Sequence, residues 1–320
     1  MPAMCASARA YSSSANLGPG FDVLAVAHTS YYDEVTACYD EKKNQGVEVV
    51  KVVGPFAEGS GGAASAQRAA EELLSRLGFG GRVELSVYKG VPPGRGLGSS
   101  GASAAATVAA LSSILGQRIT RSELVYVAGL GETVAAGTPH FDNVAASLLG
   151  GFVLVTTIGN RLVAKQVRPS KPLFFAILVP SRAPRKQKTR FMRSVIPRSV
   201  EVSLAARNFG GKTALMVLAL LEGDLELVGE LMMSDEIIER ARSRYVDCYW
   251  AVREAALSVG APGVSLSGAG PSMIALAWSE TRASMIARAM LDAYRECGGD
   301  AETRIATLAP GALELVKSTG

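Results

Sequence analysis

The segment VPPGRGLGSSGASAAATVAA, residues 91–110, constrains the fold of this chain more than any other feature. Glycine occupies every second position from Gly94 to Gly98, and an alanine-rich run then predicts a helix from about Ser103 to Leu115. A backbone that approaches a phosphate closely needs glycine, because a Cβ atom would stand between them. The helix that follows directs its free N–H groups and the positive end of its dipole at such an anion. The segment therefore predicts a phosphate-binding loop at the start of a helix.

This predicted phosphate loop differs from the two common nucleotide-binding signatures. No lysine follows its glycines, as the P-loop pattern requires, and the spacing of the dinucleotide pattern is also missing. A small-residue turn that only packs a helix remains the alternative on this segment alone. Lys89 and Arg95 could add positive charge, although we expect both side chains to face solvent. The residues that we expect at the nucleotide are Pro93, Gly94, Arg95, Gly96, Leu97, Gly98, Ser99, Ser100 and Gly101.

Length and composition indicate a compact protein of two domains. The chain has 320 residues, of which 48% are hydrophobic and 19% charged, so it can bury a large core. Strand-like and helical runs are mixed along the chain, which predicts an α+β fold in both halves. The run VRPSKP at 167–172 breaks this pattern, and we therefore expect domains at 1–168 and 169–320. A formal charge of +4 suits an anionic substrate but is too small for a dedicated nucleic-acid binder.

Cysteine usage and the apolar runs predict a cytoplasmic protein. The four cysteines, at 5, 38, 248 and 297, show no metal-ligand spacing, so we expect packed free thiols in a reducing compartment. The first residues contain no apolar core of signal-peptide length. Apolar stretches such as LLGGFVLVTTIG are shorter than the roughly 20 residues that span a bilayer. We therefore expect no membrane partner.

Three separated motifs resemble the GHMP kinase superfamily. PPGRGLGSSGASAAA at 92–106 is similar to its phosphate loop, SSSANLGPGFDVLAVA at 12–27 to its N-terminal motif, and VSLSGAGPSMIAL at 264–276 to its C-terminal glycine motif. GTPHFDNVAASLLGGF at 137–152 is similar to a motif of the homoserine kinase branch. The resemblance spans the chain and implies a two-domain α+β fold. Its N-terminal domain would contain a left-handed β-α-β crossover, and its C-terminal domain would be a ferredoxin-like α/β sandwich.

The same resemblance implies an enzyme, a phosphotransferase with an alcohol group as acceptor. It implies transfer of the γ-phosphoryl group of ATP, with Mg²⁺, to the side-chain hydroxyl of L-homoserine, which yields O-phospho-L-homoserine for threonine biosynthesis. Another small-molecule kinase of the superfamily, acting on shikimate or in the mevalonate pathway, is the alternative among enzymes. A non-catalytic sensor on the same fold is a further alternative, because a fold by itself does not establish an activity.

The resemblance also assigns residues to an amino-acid substrate. Asp22 is the expected partner of the ammonium group, and Arg193 is the expected partner of the carboxylate, because a planar guanidinium fits two oxygens. Arg242 falls at the position of a second substrate arginine, where Arg240 and Arg244 also compete. The expected substrate-binding residues are Asn16, Asp22, His140, Arg193, Arg242 and Gly268.

Metal binding and proton transfer complete the implied site. Ser100 and Glu132 match the metal ligands, and Mg²⁺ favours such hard oxygen donors. Asn143 is expected to orient the substrate hydroxyl, and Asp142 to serve as a structural residue or a weak base, because a loose phosphoryl-transfer transition state needs little help from a base. If replacing Asp142 by asparagine abolished turnover with binding intact, these two roles would be exchanged.

Three further questions stay open from the sequence. The stretch GGAASAQRAA at 61–70 lacks the asparagine that many relatives carry near the adenine, so the purine preference is undecided. The basic run at 181–200 contains seven lysines and arginines and could mark a nucleic-acid module, although its single aromatic residue argues against that alternative. A homodimer is the expected oligomeric state.

Overall fold

The structure, a computed structural model, describes residues 3–58, 62–116, 119–136, 139–182 and 188–319. The strands are β1 (Met4–Asn16), β2 (Gly20–Asp40), β3 (Gly46–Val53), β4 (Arg82–Lys89), β5 (Phe152–Ile158), β6 (Arg161–Val167), β7 (Phe174–Pro180), β8 (Val264–Leu266), β9 (Met273–Ala277), β10 (Ala301–Thr307) and β11 (Val316–Thr319). The helices are α1 (Gly62–Leu77), α2 (Ser99–Leu115), α3 (Arg121–Ala136), α4 (Phe141–Leu149), α5 (Lys188–Ser194), α6 (Val202–Ala205), α7 (Lys212–Glu222), α8 (Leu225–Met232), α9 (Ile238–Arg242), α10 (Tyr249–Ser258) and α11 (Glu280–Glu296).

The first sheet has seven strands among the described residues. Five of them follow the order β11-β1-β2-β4-β3, while β5 pairs with β2 and with β6. Strands β3 and β4 are parallel and are joined through α1, so β3-α1-β4 is the crossover unit that the resemblance implies. The left hand of this crossover stays a prediction.

Helix α2 is buried on nearly every side and forms the centre of the N-terminal region. Its alanines are small, so α1, α3, α4 and the first two strands can all pack closely against it. Helices α1 and α3 also pack closely against each other, since a methyl group on Gly131 of α3 would lie 2.6 Å from the Cβ of Ala69 on α1. The helix begins at Ser99, four residues before the predicted start, because Gly98 supplies a left-handed N-cap there.

The second sheet has the ferredoxin-like topology that the resemblance implies. Its order is β10-β7-β9-β8, and each neighbouring pair is antiparallel. Along the chain its elements run β7, helices, β8, β9, α11 and β10, which is the β-α-β-β-α-β arrangement. The two strands around the glycine turn of residues 267–272 therefore form a hairpin of the inner strand β9 and the edge strand β8. The fold is the predicted two-domain α+β fold.

The end of the chain returns to the first sheet. Strand β11 pairs with β1, with Val316 opposite Ala8 and Thr319 opposite Cys5. Bridges from Leu308 to His28 and from Pro310 to Gly150 accompany this return. The last residues therefore lie with the N-terminal sheet, while the boundary at residue 168 itself stays a prediction.

Two of the four cysteines form a disulfide, so the prediction of four free thiols is wrong. Cys5 and Cys38 occupy opposite positions in the antiparallel β1–β2 pair, and their sulfur atoms are bonded. Cys248 and Cys297 are free. Cys5 and Cys38 are 33 positions apart in the sequence, and their pairing cannot be read from it because it depends on the register of two long strands.

One helix among the described residues is long and apolar enough to cross a membrane by length and composition. It runs over Val202–Glu222, with α6 and α7 joined by a π-helical turn at Ala206–Gly211. The sequence predicts helix here, but not an apolar helix of membrane-spanning length. Such a helix is weak evidence for a membrane segment. Its polar groups contact the rest of the fold, since Thr213 Oγ1 donates to the carbonyl of Pro19 at 3.1 Å and Lys212 Nζ to that of Ser234 at 2.6 Å.

Candidate active site

The glycine loop has the conformation that a phosphate cradle needs. Gly94, Gly96 and Gly98 have φ angles of +71°, +82° and +65°, a region that residues with a Cβ atom rarely adopt. No side chain caps the first turn of α2, whose N-cap is Gly98. An uncapped first turn keeps its N–H groups available to an anion. The loop therefore has the shape and polarity to fit the phosphates of a nucleotide.

Segments from two distant parts of the chain hold this loop. The backbone N–H of Ser13 donates to the carbonyl of Leu97 at 3.1 Å, which ties β1 to the loop. Ser267 Oγ, in the β8–β9 turn, donates to the carbonyl of Gly96 at 2.7 Å. A methyl group on Gly96 would lie 2.2 Å from the carbonyl oxygen of Ser267, so a larger residue cannot fit without moving backbone. The three motifs of the sequence thus meet at one place.

Several of the predicted loop residues pack or hydrogen-bond within the protein itself. Leu97 is 1% exposed, so only its backbone can face a ligand. Ser99 Oγ donates to the carbonyl of Val91 at 2.9 Å and is engaged within the loop itself. Gly101 lies inside α2, where a methyl group would meet Cγ2 of Val144 at 3.3 Å. Contact with a nucleotide stays a prediction for the loop residues, including Pro93.

Lys89 is fully buried, so the expectation that it faces solvent is wrong. Its ammonium pairs with the carboxylate of Asp33, and both side chains are 0% exposed. The ammonium also donates to the carbonyl of Ser99 at 2.7 Å and to Ser103 Oγ at 3.1 Å, both in the first turns of α2. Burial lowers the pKa of Lys89, and the neighbouring carboxylate opposes that shift. This buried pair anchors the phosphate loop to the first sheet.

Arg95 joins the phosphate loop to the end of β7 and is only partly exposed, rather than facing solvent freely. Its guanidinium donates to the carbonyl of Ser181 at 2.8 Å and to that of Arg182. Its own carbonyl accepts from the N–H of Ser272 at 3.2 Å. Burial lowers the pKa of Arg95. Its charge therefore lies at the junction of the two sheets, beside the loop.

Ser100, Glu132 and His140 form a polar group next to the start of α2. Ser100 Oγ donates to Glu132 Oε1 at 2.7 Å, and Glu132 is 3% exposed. The backbone N–H of His140 donates to Glu132 Oε2 at 3.3 Å, and the ring Nδ1 lies 3.7 Å from Oε1. Burial lowers the pKa of His140, but the Glu132 carboxylate outweighs burial and the net shift is upward. The structure therefore brings the two predicted metal residues together.

Asp142 and Asn143 begin α4 on the other side of the loop. Asn143 Oδ1 accepts from Ser13 Oγ at 3.0 Å, and a methyl group on Gly98 would lie 3.0 Å from the same oxygen. Asp142 is 2% exposed, and its Oδ1 accepts from the backbone N–H of Asn143 at 2.8 Å. Burial, followed by the charge of Asp22, raises the pKa of Asp142 to about 6. A carboxyl group with this pKa can exchange a proton near neutral pH.

Asp22 and Arg193 pair with each other in the structure. Two hydrogen bonds of 3.0 and 3.1 Å join the guanidinium to the two carboxylate oxygens, and the side chains are 40% and 43% exposed. Asn16 Oδ1 accepts from the backbone N–H of Asp22 at 3.2 Å, and its Nδ2 donates to the carbonyl of Gly268 at 3.2 Å. The groups expected to hold the ammonium and the carboxylate of a zwitterion are therefore adjacent, and each neutralises the other when no ligand separates them.

Arg242 is the arginine of α9 that faces this site. It is 4% exposed, and it donates to the carbonyls of Met192 at 3.0 Å and Gly268 at 3.3 Å, while Arg240 and Arg244 are exposed. Burial lowers the pKa of Arg242 to about 10, so the group stays charged at neutral pH. Among the three competing arginines the structure favours Arg242.

Backbone strain is concentrated in the N-terminal motif. Asn16, Leu17 and Asp22 have φ angles of +73°, +49° and +57°, although all three carry a Cβ atom. Residues in this region cost energy and persist where surrounding contacts hold them, which is frequent at functional sites. Two of these three residues, Asn16 and Asp22, are among those expected to bind the substrate.

Two residues of this region were missed from the sequence. The guanidinium carbons of Arg193 and Arg242 lie 5.5 and 5.3 Å from the ring centroid of Phe21, so this ring packs against both cations. Lys188, the first residue of α5, donates to the carbonyl of Gly270 in the β8–β9 turn. The position of Phe21 in GPGFD, next to Asp22, could have indicated that it lies in the site. The basic run of residues 181–200 contains several lysines and arginines, and nothing in the sequence singles out Lys188 among them.

Comparisons with known proteins agree with this arrangement. The sequence profile described as GHMP kinases N terminal domain matches residues 41–151, and that described as GHMP kinases C terminal matches residues 216–296. A homoserine kinase from Aeropyrum pernix is 51% identical over 309 residues, which cover 96% of this chain and 97% of the relative. One from Pyrobaculum neutrophilum is 43% identical over 312 residues, with 96% and 99% covered. The crystal structure of homoserine kinase from Cytophaga hutchinsonii superposes with a TM-score of 0.85 at 30% identity, covering 99% of this chain and 98% of that one.

Proposed function

Since the chain belongs to the GHMP kinase family, we propose that it is a homoserine kinase, which transfers the γ-phosphoryl group of ATP to the side-chain hydroxyl of L-homoserine. The observation that carries this proposal is the meeting of the phosphate loop with a pair of opposite charges, Asp22 and Arg193, within one site. A site built for both a polyphosphate and a zwitterion favours phosphorylation of an amino acid. Near-complete coverage of homoserine kinases at 51% and 43% identity supports the same conclusion.

In this proposal the loop of residues 93–101 holds the nucleotide. Its bare backbone and the uncapped start of α2 would bind the phosphates through N–H groups, which are fixed before the nucleotide arrives. The buried pair of Lys89 and Asp33 keeps these groups in place. The contacts of the adenine base stay open, because the stretch GGAASAQRAA at 61–70 lacks the asparagine that many relatives carry near the adenine.

Ser100 and Glu132 would hold Mg²⁺ in this proposal. They offer two adjacent hard oxygen donors, one of them a carboxylate, which suit this ion. No group of three or more His, Cys, Asp or Glu side chains suited to a metal is found in the described ranges, so phosphate and water oxygens would complete the shell. When bound, Mg²⁺ would neutralise charge on the phosphates.

The charged residues would orient homoserine. Asp22 would accept the ammonium, and Arg193 and Arg242 would bind the carboxylate, so the zwitterion replaces the contact between Asp22 and Arg193 by two contacts of its own. Asn16, His140 and Gly268 line the same region and are the other proposed substrate contacts. Exchange of one ion pair for two keeps every charge compensated during binding.

Asn143 and Asp142 would act at the substrate hydroxyl. The Asn143 amide, fixed by Ser13, would orient the hydroxyl oxygen toward the γ-phosphorus. The bond from that oxygen to phosphorus forms while the bond to the β-phosphate oxygen breaks, and the hydroxyl proton leaves to Asp142 or to solvent. The products are ADP, O-phospho-L-homoserine and one proton. The pKa of Asp142, raised by burial to about 6, makes it a weak acceptor, which a loose transition state tolerates.

The test is a coupled assay of ADP release with Mg²⁺ over homoserine, shikimate, mevalonate and phosphomevalonate. We expect turnover with homoserine alone, and mass spectrometry should find one phosphoryl group on the product. Preference for another acceptor would indicate that the chain is a different kinase of the family. Absence of ADP release with all four acceptors would favour a sensor without catalytic activity.

The remaining expectations about partners stay predictions. Absence of salt-dependent retention on heparin would exclude nucleic-acid binding, which we do not expect from a chain with a net charge of +4. A homodimer is expected, and sedimentation equilibrium measures the oligomeric state. Cell fractionation checks the expected cytoplasmic location.

A further inference from the structure

Lys188 carries a positive charge to the junction of the phosphate loop and the glycine turn. It is the first residue of α5, and its ammonium donates to the carbonyl oxygen of Gly270 in the turn of residues 267–272. That carbonyl borders the phosphate loop, because a methyl group on Gly96 would lie 2.7 Å from the same oxygen. The ammonium of Lys188 is therefore separated from the loop backbone by a single carbonyl group.

The surroundings of Lys188 are cationic. Arg95 and Arg242 are the charged side chains that act on it, and both lie at the same junction. Neither a hydrogen bond nor an ion pair joins Lys188 to a carboxylate among the described residues. Burial, with the two guanidinium charges, lowers its pKa to about 7. Carboxylates act on Arg242 and on Arg95, but none in the described part of the chain acts on Lys188, so an anion would stabilise the positive charge of this lysine.

The place of Lys188 separates it from Arg193, the first of the two arginines expected at the substrate carboxylate. Arg193 pairs with Asp22, on the side of the N-terminal motif, whereas Lys188 contacts the turn that packs on Gly96. In the proposed complex the phosphates are the anion that the loop holds, so a cation beside Gly96 would meet the phosphate end of the nucleotide. A lysine is a mobile point charge on a flexible stem, so it can follow a phosphoryl group as that group moves between two oxygens.

We propose that Lys188 donates to the terminal phosphate of the nucleotide bound on the phosphate loop and is thereby a catalytic residue of the transfer. The proposal rests on the proposed kinase function, since it concerns the donor nucleotide of that reaction. Lys188 gives up its contact with the Gly270 carbonyl, or shares it, when the phosphate arrives. Binding of the dianionic group also keeps the lysine protonated, because a neighbouring negative charge favours the charged form.

The experiment compares two nucleotides that differ in the terminal phosphate. Isothermal titration calorimetry with Mg²⁺ measures the dissociation constants of ADP and of the non-hydrolysable ATP analogue AMP-PNP, without homoserine, for wild type, Lys188→Gln and Lys188→Arg. The matched control is Arg190→Gln, which removes an exposed cation from the same helix. Thermal unfolding of each variant establishes that it is folded.

We expect Lys188→Gln to raise the dissociation constant of AMP-PNP by about tenfold or more and that of ADP by less than about threefold, since only the analogue carries the terminal phosphate. Lys188→Arg should recover most of the affinity for AMP-PNP, and Arg190→Gln should leave both nucleotides unchanged. The turnover number of Lys188→Gln should fall while its KM for homoserine stays within about twofold.

An equal rise in the dissociation constants of AMP-PNP and ADP, or no change in either, would overturn the proposal. So would a rise in the KM for homoserine while the ratio of the two dissociation constants stays unchanged. The outcome is separable from that of the proposed function. A chain that phosphorylated another acceptor would still show the difference between AMP-PNP and ADP, whereas a wild type that bound neither nucleotide would overturn both proposals.

Discussion

Replacement of Asp22 by asparagine tests whether this carboxylate recognises the substrate ammonium. The ion pair with Arg193 is half-exposed, at 40% and 43%, so solvent screens it and its loss should change stability by less than about 1 kcal/mol. A charge-assisted hydrogen bond from the ligand is stronger than this, about 1–2 kcal/mol in a site with such exposure. The KM for homoserine should therefore rise by about 5- to 30-fold, because 1.4 kcal/mol corresponds to a factor of ten.

The assay pairs homoserine with 4-hydroxybutanoate, which has the same hydroxyl and carboxylate but no ammonium. Wild type should prefer homoserine in kcat/KM, and Asp22→Asn should lose most of that preference, since the variant removes only the partner of the ammonium. The freed Arg193 can bind the carboxylate of either compound, so 4-hydroxybutanoate should be used as well as before or better. A fall in kcat/KM by the same factor for both compounds would refute the reasoning, because it would place Asp22 in a structural role.

Three other perturbations test the scaffold of the site. Lys89→Met leaves Asp33 as an unpaired buried charge, so the free energy of unfolding from urea titration should fall by about 3–5 kcal/mol, and a loss below 1 kcal/mol would contradict the buried pair. Thiol titration of the unfolded chain should find two groups before reduction and four after it, while four before reduction would exclude the β1–β2 disulfide. The pKa of Asp142 is raised to about 6 from its ordinary 3.8, so its burial as a neutral acid stabilises the fold below about pH 4, and this contribution is lost as the pH rises through 6. Relative to Asp142→Asn, wild type should lose up to about 3 kcal/mol between those pH values, and a difference that does not vary with pH would argue against the raised pKa.

Local patterns were sufficient for the phosphate loop and for most elements. The alternation of glycines at 94, 96 and 98 predicted a bare backbone before a helix, and the structure has positive φ angles at all three positions. Lys89 shows that an available pattern was overlooked. It continues the inward alternation of Val83, Leu85 and Val87 along β4, so its burial could have been predicted, although not the carboxylate that compensates it.

Other features depended on contacts that no local pattern contains. The resemblance pointed to Arg242 with Arg240 and Arg244 as competitors, and it is the packing of α9, including the contacts of Arg242 with Gly268 and Met192, that buries Arg242 alone. The disulfide between Cys5 and Cys38 depends on the register of β1 on β2. Because such contacts join residues far apart in the chain, periodicity within one segment carries no information about them.

The sequence by itself determined the family, the two-domain α+β architecture and the composition of the phosphate loop, because these follow from backbone conformation and from motifs within short segments. Only the tertiary structure decided which charges oppose one another. It paired Asp22 with Arg193 and Lys89 with Asp33, and it left Lys188 facing cations. The physical reason is that the energy of a charge depends on its burial and its neighbours, and both are properties of the folded chain.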